Sequence, residues 1–96
     1  MNFRFHPEAE LEFLEAVEYY EEVETDLGQE FALEVYAAIQ RAVSYPKAWP
    51  ELEDEVRRSL VRRFPYGVLY FEEDEYVLVL AVMHLHRDPE YWKGRK

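Results

Sequence analysis

The amino-acid sequence predicts an α+β domain, with a helical hairpin packed on one face of a small, antiparallel-rich sheet. Three observations carry that expectation. Apolar residues recur at helical spacing from Ala9 to Ala42, and from Val56 the period changes to two. Turn-forming residues divide the segments at Asp26–Gly28, Pro46–Pro50, Pro65–Gly67 and Glu73–Asp74. The resulting order is β-α-α-β-β-β with a short C-terminal helical turn, and residues 1–96 read as a single domain.

Residues 2–6 alternate polar and apolar, as a short strand does. His6-Pro7-Glu8 then starts a helix. Proline is tolerated at the first helical position, and Glu8 and Glu10 lie where the positive end of the helix dipole favours anions. Ala9, Phe13, Ala16, Tyr20 and Val23 form its apolar stripe, widened by Leu14 and Val17, which leaves Glu12, Glu15, Glu18 and Glu22 for the solvent side. Asp26 is expected to cap the second helix, with Gln29 three residues on completing a capping-box-like pattern. Phe31, Val35, Ala38, Ile39 and Ala42 form the buried stripe of that helix, Pro46 ends it, and Trp49-Pro50 belongs to a loop.

Arg57 to Phe64 reads as a strand with basic flanks. Period two places Arg58 and Arg62 on one face and Arg57 and Arg63 on the other. Pro65-Tyr66-Gly67 is a turn or bulge, and Val68 to Glu72 a further strand. Tyr76 to Met83 is almost wholly apolar and is expected to be a central strand covered on both faces. Asp88 to Lys93, with Pro89 near its start, is the C-terminal helical turn.

Composition bounds the function. Hydrophobic residues make up 49% and aromatics 17%, enough for a packed core. With no cysteine, a disulfide framework and a thiolate zinc site are excluded. The segment from Met1 to His6 lacks the apolar core of a signal peptide, and the longest clean apolar run, Val77 to Met83, is far short of the ~20 residues of a membrane span. A soluble, cytoplasmic protein without membrane contact is expected. The net charge is −10, unevenly spread: residues 1–56 hold three cations against fifteen carboxylates, and residues 57–96 hold eight against six. An acidic body repels nucleic acid at long range, although a local basic site can still bind phosphate.

Candidate chemistry gathers in the last third. His84 and His86 share a face if the chain is extended, and with His6 or Asp88 they are half a metal site. Catalytic zinc normally takes three protein ligands, so no metal and no cofactor is assigned. The plainer reading is that one histidine hydrogen-bonds to backbone where the strand ends. Arg57, Arg58, Arg62, Arg63 and Arg87 offer planar forks suited to phosphate or carboxylate, or to ion pairs with the helix glutamates. Tyr91 is a candidate proton donor or acceptor if Arg87 or Lys93 assists it; otherwise it packs the tail, with Trp92, onto the sheet. There is no Ser/His/Asp order, glycine-rich phosphate loop or dinucleotide fingerprint.

Nearly the whole chain resembles the RelE/ParE superfamily of type II toxin–antitoxin toxins. The residues that carry the likeness are His6-Pro7-Glu8-Ala9, Tyr19-Tyr20, Leu27 to Phe31, Pro46, Arg63 to Tyr70, and Ala81 to Trp92. The resemblance implies a small sheet carrying a helical hairpin, and an antitoxin that wraps and neutralises the toxin in a joint oligomer. RelE-like members cleave messenger RNA on the ribosome without a metal, and ParE-like members inhibit DNA gyrase. Laid over the RNA-cleaving pattern, Tyr91 falls near the C-terminal catalytic tyrosine and Arg58 near a basic residue of the second strand. On that reading His84, His86 or Tyr91 moves protons while Arg58, Arg62 or Arg87 holds the phosphate. Gly67 and Leu85 stand where those enzymes carry arginines, which weakens the nuclease reading because one charge-stabilising donor is often worth ~10²–10³ in rate. The alternative is a non-enzymatic binder, either a gyrase inhibitor or a decayed toxin that retains only antitoxin binding.

Overall fold

The computed structural model describes residues 2–95. Its elements are β1 (Asn2–Phe5), α1 (Pro7–Val23), α2 (Leu27–Ser44), β2 (Glu51–Glu53), β3 (Val56–Leu60), β4 (Tyr66–Glu72) and β5 (Tyr76–His84). The five strands form one sheet in the order β1-β5-β4-β3-β2. β1 runs parallel to β5, and the other neighbours are antiparallel. The α+β expectation therefore holds, with one added strand. β2 lacks apolar alternation, and all three of its residues are exposed, so periodicity gave no sign of it.

Both faces of β5 are covered, as its continuous apolar run requires. On one face the helical hairpin contributes Phe13, Phe31, Val35 and Ile39, which pack with Val68, Val79 and Val82 of the sheet. On the other face Val56, Leu69, Leu80 and Met83 lie beneath Trp92 from the C-terminal segment. Side-chain bonds join the sheet to the second helix and the loop beyond it, among them Arg41 to the Leu60 carbonyl and Arg57 to the Trp49 carbonyl. The buried Ser59 hydroxyl donates to the Ala38 carbonyl at 2.9 Å, and the Tyr70 hydroxyl donates to the Pro46 carbonyl at 2.7 Å. Such bonds contribute about 1 kcal/mol each, and leaving a buried group unpaired costs more.

The helix starts follow the sequence in one case and not in the other. His6 precedes α1, and its Nδ1 accepts from the Glu8 amide at 3.1 Å, with Pro7 at the first helical position. Asp26 takes a left-handed conformation (φ 71°), and its side chain makes no capping bond. Glu21 of the preceding helix fills that role: its carboxylate accepts from the Asp26 amide at 2.9 Å and the Gly28 amide at 3.1 Å. The helices cross so closely here that a Cβ on Gly28 would lie 2.5 Å from the Val17 carbonyl oxygen. Glycine at 28 permits the hairpin, and Glu21 satisfies the amides it brings near.

Four further expectations need correction. Leu14 and Val23 are more than half exposed and lie outside the buried stripe. Glu12 is not on the solvent side; its side chain retains only 14% exposure. β3 stops at Leu60, and Arg63 sits in the following turn at φ 72°, so alternation does not extend to Arg62 and Arg63. Tyr66 and Gly67 open β4 and are not part of the turn. The C-terminal segment, expected as a short helical turn, forms no continuous helix. It is a run of turns, closed by the Glu90 amide donating to Asp88, Lys93 to Glu90 and Arg95 to Trp92.

Candidate functional site

The last third of the chain meets α1 at the far end of β5. β1 pairs with β5 only from Tyr76 to Val79, and the last bond on that edge runs from the His6 amide to the Val79 carbonyl. Beyond it, among the described residues, no strand lies beside that edge of β5. Unpaired backbone groups at partly buried positions are costly, so other groups must meet them. The Val82 amide donates to Glu12 Oε1 at 3.1 Å, and the Leu80 carbonyl accepts from Arg95 Nη1 at 2.9 Å. Arg95 and Glu12 in turn form a two-pronged ion pair of 3.1 and 3.0 Å. One carboxylate and one guanidinium thus substitute for a missing length of strand.

This clamp organises the cations around it. Arg95 Nε lies 3.2 Å from Glu8, and Arg87 Nη1 lies 3.7 Å from Glu12. The guanidinium carbons of Arg87 and Arg95 stand 3.7 and 4.8 Å from the ring centroid of Tyr91. The buried Tyr91 hydroxyl oxygen makes no well-aligned hydrogen bond. Burial first, and the Glu12 carboxylate second, push its pKa well above the ordinary phenol value, and the two arginines offset this only in part. A phenol held protonated in this way is a poor general base near neutral pH.

His84 and His86 do come together, with ring centroids 5.3 Å apart. His84 Nδ1 accepts from the His86 amide at 3.1 Å, which is the plain backbone-bonding role for a histidine at a strand end. The His84 ring also meets the edge of Tyr66. Among the described residues there is no group of three or more His, Cys, Asp or Glu side chains placed to hold a metal. A groove of about 220 Å³ runs between α1 and the end of β5, lined by Glu12, Glu15, Tyr19, Tyr66, His84 and Arg87.

Arg58 lies elsewhere. It pairs in register with Leu69, in the half of the core covered by Trp92, and lines a separate groove of about 250 Å³ with Leu52, Met83 and Pro89. Its stem rests over Gly67, where a Cβ would come within 2.8 Å of its Cδ. An arginine at position 67 could be accommodated only if Arg58 moved. Arg62 is exposed in the turn after β3, and Arg63 is engaged by Glu30 at 2.8 Å. The six candidate residues therefore divide: His84, His86 and Arg87 gather at the end of β5, Tyr91 packs on the Trp92 side and meets them only through Arg87, Arg58 lies in another groove, and Arg62 joins neither.

Sequence reading missed Glu12, Arg95, Glu21 and Tyr66 as organising residues. For Glu12 a signal existed. Position 12 is three residues from Ala9 and four from Ala16, so the helical wheel places it within the apolar stripe. A carboxylate at such a position needs a partner. Arg95 carried no local signal, because its partner lies 83 residues away.

A family model described as the ParE toxin of the type II toxin–antitoxin system parDE matches residues 3–89. A solved structure titled "Chromosomal ParDE TA system from P. aeruginosa" superimposes with a TM-score of 0.77, covering 90% of this chain and 97% of that one. The two are 12% identical, so the likeness is one of fold. No curated protein matches the chain.

Proposed function

The chain belongs to the ParE toxin family of type II toxin–antitoxin systems, and from that premise we propose that it is a growth-inhibiting toxin, kept inactive in a complex with a cognate protein antitoxin, that acts in the cytoplasm by binding DNA gyrase and not by cutting RNA. The observation that carries this reading is the state of Tyr91. Its phenol is buried, held protonated and enclosed by Arg87 and Arg95, which are themselves drawn to Glu12 and Glu8. Groups spent on one another in this way are poorly placed to move a proton or stabilise a developing phosphorane. Two further facts agree. Arg58 is separated from the histidine cluster, and positions 67 and 85 bear no cation.

Purified protein added to gyrase, relaxed plasmid and ATP should suppress supercoiling, with Tyr91→Phe as effective as the parent chain. Messenger RNA recovered from induced cells should show no new cuts at ribosomes. Ribosome-dependent cleavage that disappears with Tyr91→Phe or His86→Ala would instead establish the nuclease, with the His84–His86–Arg87 group as its centre.

A further inference from the structure

We propose that the trough along the outer side of α1 is a docking site for a basic, amphipathic helical segment of the antitoxin. This rests on the reading of the chain as a toxin with a protein antitoxin, and it assigns the chemistry of the contact.

The helix that forms the trough contains seven glutamates and no lysine or arginine. Three have occupations within the chain: Glu8 and Glu12 engage Arg95, and Glu21 caps α2. Among the described residues Glu10, Glu15, Glu18 and Glu22 take part in no ion pair. Glu15, Glu18 and Glu22 recur at spacings of three and four and so run down one side of the helix, where like charges repel.

The same side is not merely a charged surface. The groove that ends at His84 adjoins a second, of about 260 Å³, that runs on past Glu18 and Glu22, and the two share Glu15 and Tyr19. Tyr19 stands in the shared stretch with 59% of its surface exposed, and Leu11 and Leu14 on the same helix are 56% and 55% exposed. From Leu11 to Glu22 is about 17 Å of helix, the length of three turns. This surface offers aliphatic contact, an aromatic face that attracts cations, and uncompensated carboxylates.

Complementarity selects the occupant. A second copy of the chain brings another net charge of −10, and nucleic acid brings phosphates, so both are repelled. A helix with aliphatic residues on one side and Lys or Arg on the other matches both components of the trough. Large side chains left more than half exposed suit a standing partner better than a passing one, and the standing partner of a toxin is its antitoxin.

The probe is a pair of synthetic helical peptides with one apolar period, one built from Leu and Lys and the other from Leu and Glu. The intact chain should bind the Leu/Lys peptide in fluorescence anisotropy, more weakly as salt rises, and should not bind the Leu/Glu peptide. The Glu15→Gln/Glu18→Gln/Glu22→Gln triple should lose at least tenfold in affinity. Glu73→Gln/Asp74→Asn/Glu75→Gln, an equal change of charge at the β4–β5 turn, should stay within threefold of the parent. Circular dichroism should show both triples folded, because removing like charges from a helix surface does not weaken it. Equal losses in the two triples would reduce the effect to bulk charge and overturn the proposal. So would comparable binding of the Leu/Glu peptide, or no loss in the α1 triple. Growth arrest on induction tests the toxin reading separately from any peptide result, so the two can fail independently.

Discussion

The two halves of β5 satisfy their backbone by different means. From Tyr76 to Val79 the strand has β1 on one side and β4 on the other, and main chain meets main chain. Past Val79 the register shifts at Leu80 and β4 pairs again from Ala81 to His84, whereas β1 does not continue, and the open edge is closed by Glu12 and Arg95. The first half is written into local sequence, as two apolar-alternating segments that need only to find each other. The second depends on a carboxylate from the first helix and a guanidinium from the C-terminal tail. Charged residues that look available for chemistry can therefore be committed to completing a sheet.

The tail is the support most easily removed. Trp92 is 6% exposed and seals the sheet face opposite the hairpin. Trp92→Ala should cost about 3–5 kcal/mol in urea unfolding, with hydrogen exchange at Val82 rising relative to the amides of Tyr76–Val79. Equal acceleration in the two halves would mean that the tail does not serve the far half in particular. Glu12→Ala attacks the same half from the helix side. It leaves the Val82 amide and the Arg95 guanidinium without their acceptor, and about 2–4 kcal/mol should be lost. Glu21→Ala is the contrast: it should cost about 1 kcal/mol through the α2 start alone and leave the relative protection along β5 unchanged.

The smallest expected effect is at Tyr91. Its hydroxyl is buried without an aligned partner, so Tyr91→Phe should cost no stability at neutral pH and should raise it by up to about 1 kcal/mol. The pH dependence has a definite sign. The folded-state pKa is raised, chiefly by burial, so the stability that Tyr91 contributes is fully present below the unfolded phenol value of ~10 and declines as pH rises above it. Tyr91→Phe should flatten that alkaline decline in part. Tyr66, Tyr70 and Tyr20 are also shifted upward, so some of it will remain.

Much of this fold was legible because it is periodic. The stripe from Phe31 to Ala42 is the buried face of α2, and the apolar run expected from Tyr76 to Met83 became β5, one residue longer. What failed was what periodicity does not encode. β2 is three exposed residues held by its register with β3. Alternation from Arg57 was carried across a turn that resets the face at Arg63. The α2 start is capped by Glu21, five residues before the expected Asp26. The candidate site was half legible: the sequence drew attention to His84, His86 and Arg87, which do lie together, and to Tyr91, which stacks on Arg87. It could not show that Glu12 and Arg95, from opposite ends of the chain, set their surroundings.

That dependence is open to one direct measurement, a double-mutant cycle on Glu12→Ala and Arg95→Ala in equilibrium unfolding. If the two side chains act as a single substitute for strand pairing, the double variant should be no worse than the worse single one, with a coupling of about 2 kcal/mol. Additive losses, with coupling within about 0.3 kcal/mol of zero, would mean that the residues act separately and that the far half of β5 is held by something else.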